Sequence, residues 1–245
     1  MKISKILAVL FCTAFFTSPL FAQEETASKL RFGGRLGFNL GASVPMYFQN
    51  MPDRFSWNTG FNPSFGLVGE YKLKKDRSFI HFELLYTRKG NSTTAHVVDQ
   101  NFFISNTLAS VTGEVATNIN LNYIEIPIQF KTNISKKDNG LYVVAGLYFA
   151  YMVDGSFDGT VFTGSTIKDS SGEYPVGKDT PYDYSADLVN FDWGAQFGIQ
   201  KEIGDHFTVD TQISWGFNGI FPQGYEIVDP NLFNLYGKIG MTYKL

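Results

Sequence analysis

The chain has 245 residues, a formal net charge of −3 and only 18% charged residues, compared with about 25% in an ordinary soluble domain. Such a balance provides no basic surface and argues against nucleic-acid binding. Aromatic residues make up 16% of the chain and 24 residues are glycine, so a mostly disordered chain is excluded as well. This composition favours β-structure.

The first segment has the features of an export signal. Lys2 and Lys5 precede an apolar stretch that runs from Ile6 to Phe21, and Ala22 stands directly before polar residues. This order is typical of a signal peptide that is cleaved after Ala22. The stretch is shorter than the about 20 residues that a membrane-spanning helix requires.

The single cysteine, Cys12, offers a competing interpretation as a lipoprotein signal. However, Cys12 lies inside the apolar stretch, and Phe11 occupies the position where lipoprotein signals carry a small residue. Cleavage after Ala22 removes Cys12. The exported chain would then contain no disulfide, no thiolate nucleophile and no cysteine metal ligand.

Beyond residue 30, apolar side chains recur at every second position, which is the period of a β-strand. For example, Ile124, Ile126 and Ile128 alternate with Glu125 and Gln129. Eight stretches follow this pattern, and no convincing amphipathic helix lies between them. The connectors between the stretches span 43–60, 74–78, 90–118, 132–139, 154–187, 202–206 and 218–233.

These connectors alternate between long and short. An even number of antiparallel strands with short turns at one rim and long loops at the other is typical of bacterial outer-membrane barrels. A soluble β-sandwich also contains many alternating strands, but soluble strands cluster near about 5–6 residues, whereas transmembrane strands need about 9–11. The predicted strands have the longer length. The sequence therefore predicts an all-β fold, an eight-stranded antiparallel up-and-down transmembrane β-barrel with short periplasmic turns and long extracellular loops.

The alternation also assigns side chains to the lipid or to the lumen. A Lys or Arg that points into lipid at mid-membrane costs roughly 2–4 kcal/mol, so the isoleucine face must point outwards and Glu125 inwards. The predicted inward charges are nearly balanced: Arg35, Lys72, Lys131 and Lys238 against Glu70, Glu83, Glu125, Asp192 and Asp210. Because the interior of such a barrel is just wide enough for side chains to fill, we expect a compensating network of salt bridges. A narrow ion or proton path through the same groups is the alternative.

Several segments along the predicted barrel share a recurrent pattern of glycine and aromatic residues. They are 33–41, 83–90, 121–127, 141–146 and 236–243. The most specific of them reads Tyr-Ile-Glu-Ile-Pro at 123–127. These segments resemble the PorT-like family of outer-membrane β-barrels. The resemblance implies an eight-stranded barrel in a Gram-negative outer membrane; it implies little about activity, because the family is functionally mixed and some members are associated with protein secretion.

The predicted organisation is a signal peptide at 1–22, a short periplasmic N-terminal segment at 23–30 and an outer-membrane β-barrel at 31–245. We expect export to the cell outer membrane, contact with its lipid, insertion by the barrel-assembly machinery and a monomeric state. The alternating C-terminal residues resemble the signal that this machinery recognises, although Leu245 stands where most clients carry Phe or Trp.

Catalysis is not expected. Of the three histidines, His81 and His206 lie near short turns and only His96 lies in a long loop, close to Ser92 and Asp99. A catalytic triad is recognised by geometry, and no nucleophile-elbow motif accompanies these residues. We therefore predict a non-enzymatic protein with no catalytic residues, no cofactor and no metal site.

The seven acidic residues of the 154–187 loop can be read in two ways. Calcium binding is one, but the ligand order of an EF-hand is absent. A solvated acidic loop is the other and the simpler interpretation.

Function is expected in the connectors 90–118 and 154–187. Loops of this length are uncommon in compact domains unless they are functional or disordered. Their apolar residues are Phe102, Phe103, Ile104, Leu108, Phe157, Val161, Phe162 and Tyr174. We expect these residues to form an exposed surface that binds an envelope protein or a glycan. The sequence also leaves open that Val97-Val98 and residues 102–104 extend two strands as a β-ribbon, and that the protein is instead a narrow solute or ion pore.

Overall fold

A computed structural model describes residues 29–46, 54–74, 77–104, 107–134, 139–225, 227–228 and 230–245. The predicted signal peptide and most of the segment 23–30 lie outside these ranges. The described strands are β1 (Leu30–Pro45), β2 (Phe55–Thr59), β3 (Asn62–Lys72), β4 (Ser78–Ile104), β5 (Thr107–Asn133), β6 (Leu141–Val161), β7 (Thr166–Asp169), β8 (Gly172–Pro175), β9 (Thr180–Asp183), β10 (Phe191–Ile203), β11 (Phe207–Gly219) and β12 (Leu232–Lys244). A short 3₁₀-helix spans Ser185–Asp187. Within the described ranges, no helix has the length and apolar character to cross a membrane.

Eight of the described strands form a closed antiparallel ring in the order β1, β3, β4, β5, β6, β10, β11 and β12. The ring closes where β12 pairs with β1, from Gly33 opposite Lys244 to Pro45 opposite Leu232. Closure leaves the barrel without an unpaired edge strand, which a membrane-embedded sheet requires. The predicted eight-stranded β-barrel is confirmed.

Alternating side chains give the barrel an apolar outside and a polar inside. Ile124, Ile126 and Ile128 are between 38% and 48% exposed, whereas Glu125, in the same strand, is completely buried. The same alternation runs through β10 and β11, in which exposed and buried residues follow each other almost without exception. The predicted assignment of the isoleucine face to lipid and of Glu125 to the lumen is therefore confirmed.

The strands β4 and β5 are far longer than a membrane requires. Each has 27 residues, and they remain paired out to Ile104 opposite Thr107. A tilted transmembrane strand needs only about 9–11 residues. The described residues of the segment predicted as a loop at 90–118 therefore form a β-ribbon that continues the barrel wall. The alternative that this segment extends two strands is correct.

The segment 154–187 is not an irregular loop either. The strand β6 continues to Val161, and β9 pairs with its outer part. The short strands β7 and β8 pair with each other, and β7 also pairs with β5. On the other flank, β2 pairs with β4. We use the name extension for the part of the structure above the barrel. It consists of β2 and of the described residues within 90–118, 154–187 and 219–231.

A hydrophobic core fills the extension. Phe102, Ile104, Phe157 and Val161 are at most 8% exposed and belong to one cluster, which continues down to Tyr148 in the barrel. Burial removes these side chains from water at a gain of about 25 cal/mol per Å² of apolar surface. The expectation that these four residues form an exposed surface is therefore wrong. The ring of Tyr182, on β9, packs against Phe102, and the ring of Phe221 packs against Phe157.

Other apolar residues of the two segments do face solvent. Leu108 is 48% exposed and Tyr174 is 43% exposed, while Phe162 is half-buried. The side chain of Phe103 lies outside the described part of the structure. The exposed surface of the extension is therefore smaller than the sequence suggests, and it lies at the ribbon tip and on β8.

Candidate functional site: the lumen and the pocket above it

The middle of the lumen contains a chain of ion pairs that connects four strands. Nζ of Lys238 lies 2.6 Å from Oε1 of Glu125, and Nζ of Lys89 lies 3.2 Å from Oε2 of the same carboxylate. The Lys89 ammonium is also 3.2 Å from Oδ2 of Asp192. All four side chains are at most 4% exposed. Charges buried this deeply are tolerated only when they are paired.

Tyrosine rings surround this group on the side of the extension. The Lys89 ammonium lies 4.4 Å from the ring centre of Tyr148 and 5.1 Å from that of Tyr123, within the range of cation–π attraction. The Tyr148 hydroxyl donates a hydrogen bond of 3.0 Å to Asp192, and the Asn234 amide donates one of 2.9 Å to the same oxygen. The lumen is thus filled with side chains at the level where the extension begins.

A second ion pair lies in the middle of the lumen, on β1 and β11. Nη2 of Arg35 lies 2.5 Å from Oδ1 of Asp210, and its Nε lies 3.3 Å from Oδ2. Such a two-point contact fixes both the position and the orientation of the guanidinium. The guanidinium packs directly over Gly240, where a Cβ atom would collide with it. Gly240 therefore provides the space that Arg35 occupies.

The turn-side end of the lumen contains a third cluster. His81 is buried between two carboxylates, with Nδ1 3.2 Å from Oε1 of Glu70 and Nε2 2.8 Å from Oε1 of Glu83. Nζ of Lys131 lies 2.7 Å from Oε1 of Glu70, and Nζ of Lys244 lies 3.2 Å from its Oε2. The carboxylates on this level thus face positive or hydrogen-bonding partners from several strands.

The predicted set of inward charges is correct with one exception. Eight of the nine predicted residues are buried in the lumen. Lys72 is exposed and lies at the turn-side mouth, because it is the last residue of β3 and its side chain reaches water there. Lys89, Lys244 and Glu202 also take part in these ion pairs but were not among the predicted inward charges. Lys89 and Lys244 occupy inward positions of their strands, so the same alternation could have identified them.

Two cavities flank the filled part of the lumen. The turn-side cavity has a volume of about 440 Å³ and is lined by charged residues that include Arg31, Lys72 and Glu202. The opposite cavity lies in the extension and has a volume of about 160 Å³. Its walls are mainly apolar, and none of its lining residues is charged. We call this second cavity the extension pocket.

The acidic residues of 154–187 are engaged in local structure. Asp179 accepts hydrogen bonds from the amide and the hydroxyl of Thr163, which hold the pKa of its carboxyl below the usual value. Asp183 is bound in the same way by Ser185, with the same effect on its pKa. Among the described residues, no group of three or more acidic, histidine or cysteine side chains is placed to hold a metal ion.

The residues near His96 do not come together. Ser92 and His96 lie four residues apart on the same strand, which separates them by about 13 Å in an extended chain. The carboxylate of Asp99 instead accepts a hydrogen bond from Ser110. The arrangement of these residues is therefore not that of a catalytic triad.

The chain matches a known protein family and is similar to solved outer-membrane proteins. Residues 21–222 match the family described as "Outer membrane protein beta-barrel domain". The chain is similar to the attachment invasion locus protein Ail of Yersinia pestis, with 11% identity, a TM-score of 0.40 and coverage of 88% of this chain and 98% of that one. It is also similar to the outer membrane protein OprG of Pseudomonas aeruginosa, with 11% identity, a TM-score of 0.34 and coverage of 88% and 94%.

The comparison with curated proteins gave no significant match. The family match, by contrast, covers most of the chain. The chain therefore belongs to the family of outer membrane proteins with this β-barrel domain, and it is located in the cell outer membrane.

Proposed function

We propose that this outer-membrane barrel is a non-enzymatic binding protein whose extension receives a partner or ligand outside the cell, while its lumen remains closed. In outer-membrane barrels the short turns face the periplasm and the long connectors face the exterior. The extension is built from the long connectors and is therefore extracellular.

The observation that carries the proposal is the contrast between lumen and extension. Ion pairs occupy the lumen at several levels, including a bridge from Lys238 to Glu125 across its middle. Outside the membrane, in contrast, β4, β5 and β6 continue to form a structure with its own hydrophobic core. Ordering the residues of the extension costs conformational entropy. A protein that served only as a membrane anchor would not require this additional structure.

A narrow pore is the second candidate function. The observation that favours it is the turn-side cavity of about 440 Å³, which gives water and ions access to the lumen from the periplasm. However, Lys131 and Lys244 bind carboxylates at the inner end of this cavity, and the Arg35 and Lys89 clusters lie beyond it. A conducting path would require all of these groups to move.

The resemblance to PorT-like barrels suggests the class of partner. It is carried mainly by the residues at 123–127, and some members of that family are associated with protein secretion. We therefore propose that the partner belongs to envelope assembly or secretion, or is a glycan of the cell surface.

Site-specific photo-crosslinking in intact outer membranes tests the proposal. A photoreactive residue is placed at Leu108, which is 48% exposed at the tip of the ribbon, and, as a control, at Lys74 in a periplasmic turn. We expect discrete adducts at position 108 and not at position 74. Adducts confined to position 74 would contradict the proposal and place the binding surface at the periplasmic turns.

A further inference from the structure

The extension pocket has one buried wall and one accessible wall. Ile119, Phe157 and Tyr182 form the buried side, with exposures between 2% and 5%. Ala95 and Ile227, which also line the pocket, are half-buried and in contact with solvent. A ligand can therefore enter beside Ala95 and Ile227 and rest against the buried wall.

The polar groups of the buried wall are already paired. The hydroxyl of Tyr182 lies 2.6 Å from Oγ1 of Thr117 and donates a hydrogen bond of 2.9 Å to the carbonyl of Ala116. At the barrel end of the pocket, the hydroxyl of Ser43 donates to Asn234 at 2.9 Å. With these bonds made, the wall presents mainly ring faces and methyl groups to the cavity.

Because the extension pocket has no charged lining residue, it favours an uncharged ligand. None of the residues that line the pocket is ionised near neutral pH. A charged ligand would lose its hydration without gaining an ion pair, and such burial is costly. An uncharged molecule avoids this cost and gains from the removal of apolar surface from water.

The volume determines the size of the ligand. The pocket measures about 160 Å³. An apolar cavity of about 150 Å³ accommodates benzene, whereas drug-sized ligands occupy about 300–1,000 Å³. A folded peptide segment or a whole lipid chain is therefore too large.

We propose that the extension pocket binds one small uncharged aromatic molecule, of about six to eight non-hydrogen atoms. The inference rests on the proposed function and specifies a ligand class for it. Aromatic residues on several strands, including Phe55, Phe102 and Phe157, surround the space that the ring would fill. The ligand would pack edge-on or offset against these rings, as aromatic groups prefer.

The test uses the membrane-inserted protein, reconstituted in lipid nanodiscs, and 4-fluorotoluene, whose binding is followed by fluorine NMR. Ala95→Phe places a ring in the pocket, and Thr94→Phe places the same ring on the exposed opposite face of β4. We expect saturable binding with one site per chain for the unmodified protein and for Thr94→Phe. Binding of 4-fluorotoluene to Ala95→Phe should be weaker by at least tenfold. The charged analogue 4-fluorobenzoate should show no saturable binding to the unmodified protein.

A second variant keeps the test meaningful if Ala95→Phe folds poorly. Phe102→Ala removes a ring from the wall, so the enlarged pocket should bind 1-fluoronaphthalene at least tenfold more tightly than the unmodified protein does. Equal binding of 4-fluorotoluene to the Ala95→Phe and Thr94→Phe variants would overturn the inference. If that result came with specific cross-links at position 108, only the pocket would be refuted and the proposed function would stand.

Discussion

The ammonium of Lys238 lies 2.6 Å from a carboxylate oxygen of Glu125, although the two residues belong to strands on opposite sides of the eight-membered ring. Both side chains are at most 1% exposed. Their contact spans the barrel instead of joining neighbouring strands. It therefore restrains the cross-section of the barrel and occupies the space through which a solute would have to pass.

Replacing Glu125 with Gln should destabilise the barrel. The substitution leaves Lys238 buried without the partner of its ion pair, and the loss of one partner from a buried pair typically costs roughly 3–5 kcal/mol. Urea-induced unfolding in lipid vesicles, followed by tryptophan fluorescence, measures the change. The matched control is Glu173→Gln, at an exposed position of β8, which should leave the unfolding midpoint unchanged.

The double variant Glu125→Gln/Lys238→Met separates the cost of an unpaired charge from the value of the pair. Replacement of both partners removes the buried charge, so most of the lost stability should return. A double variant that is as unstable as Glu125→Gln alone would show that the cost does not arise from the stranded ammonium.

The alternation of side chains made the barrel and most of its lumen predictable from sequence. Because successive residues of a strand point to opposite faces, identifying Glu125 as inward also fixes the orientation of its neighbours. Lys72 departs from this rule, since the end of a strand is no longer confined between lipid and lumen. The pairing of Lys238 with Glu125 was not predictable, because it depends on which strands face each other after closure.

The extension was harder to predict for a physical reason. Outside the membrane both faces of a strand can be polar, so the stretch Asn91-Ser92-Thr93-Thr94 lacks the apolar alternation that marks a transmembrane strand. A register shift between Val97 and Gln100, with Asp99 at a φ of 51°, interrupts the pattern further. The sequence showed apolar residues in the two long connectors, but not that Phe102, Ile104, Phe157 and Val161 belong to one buried core.

Gly240→Ala should destabilise the barrel through its effect on Arg35. The new methyl group would overlap the guanidinium, so the contact between Arg35 and Asp210 must shift. Overpacking of this kind typically costs roughly 1–3 kcal/mol. Gly237→Ala, on the same strand, is the matched control, because the nearest atom to its Cβ position is 3.5 Å away. Equal unfolding midpoints for the two variants would contradict this role of Gly240.

Tyr182→Phe should loosen the extension without affecting the barrel. It removes the hydroxyl that bonds Thr117 and the carbonyl of Ala116, at an expected cost of roughly 0.5–1.5 kcal/mol. Hydrogen exchange should accelerate at the amides of β9 and remain unchanged in β10. Tyr174→Phe, which removes an exposed hydrogen bond to Asp169, should have a smaller effect. Faster exchange throughout β10 would show that the extension and the barrel unfold as one unit.

Single-channel recording from the purified protein in planar lipid bilayers tests the closed lumen most directly. Because the Lys238–Glu125 bridge and the Arg35 and Lys89 clusters fill the lumen, we expect no stable conductance steps. Reproducible porin-like steps from the unmodified protein, altered in size by Lys238→Met, would contradict a closed lumen and establish the protein as a pore.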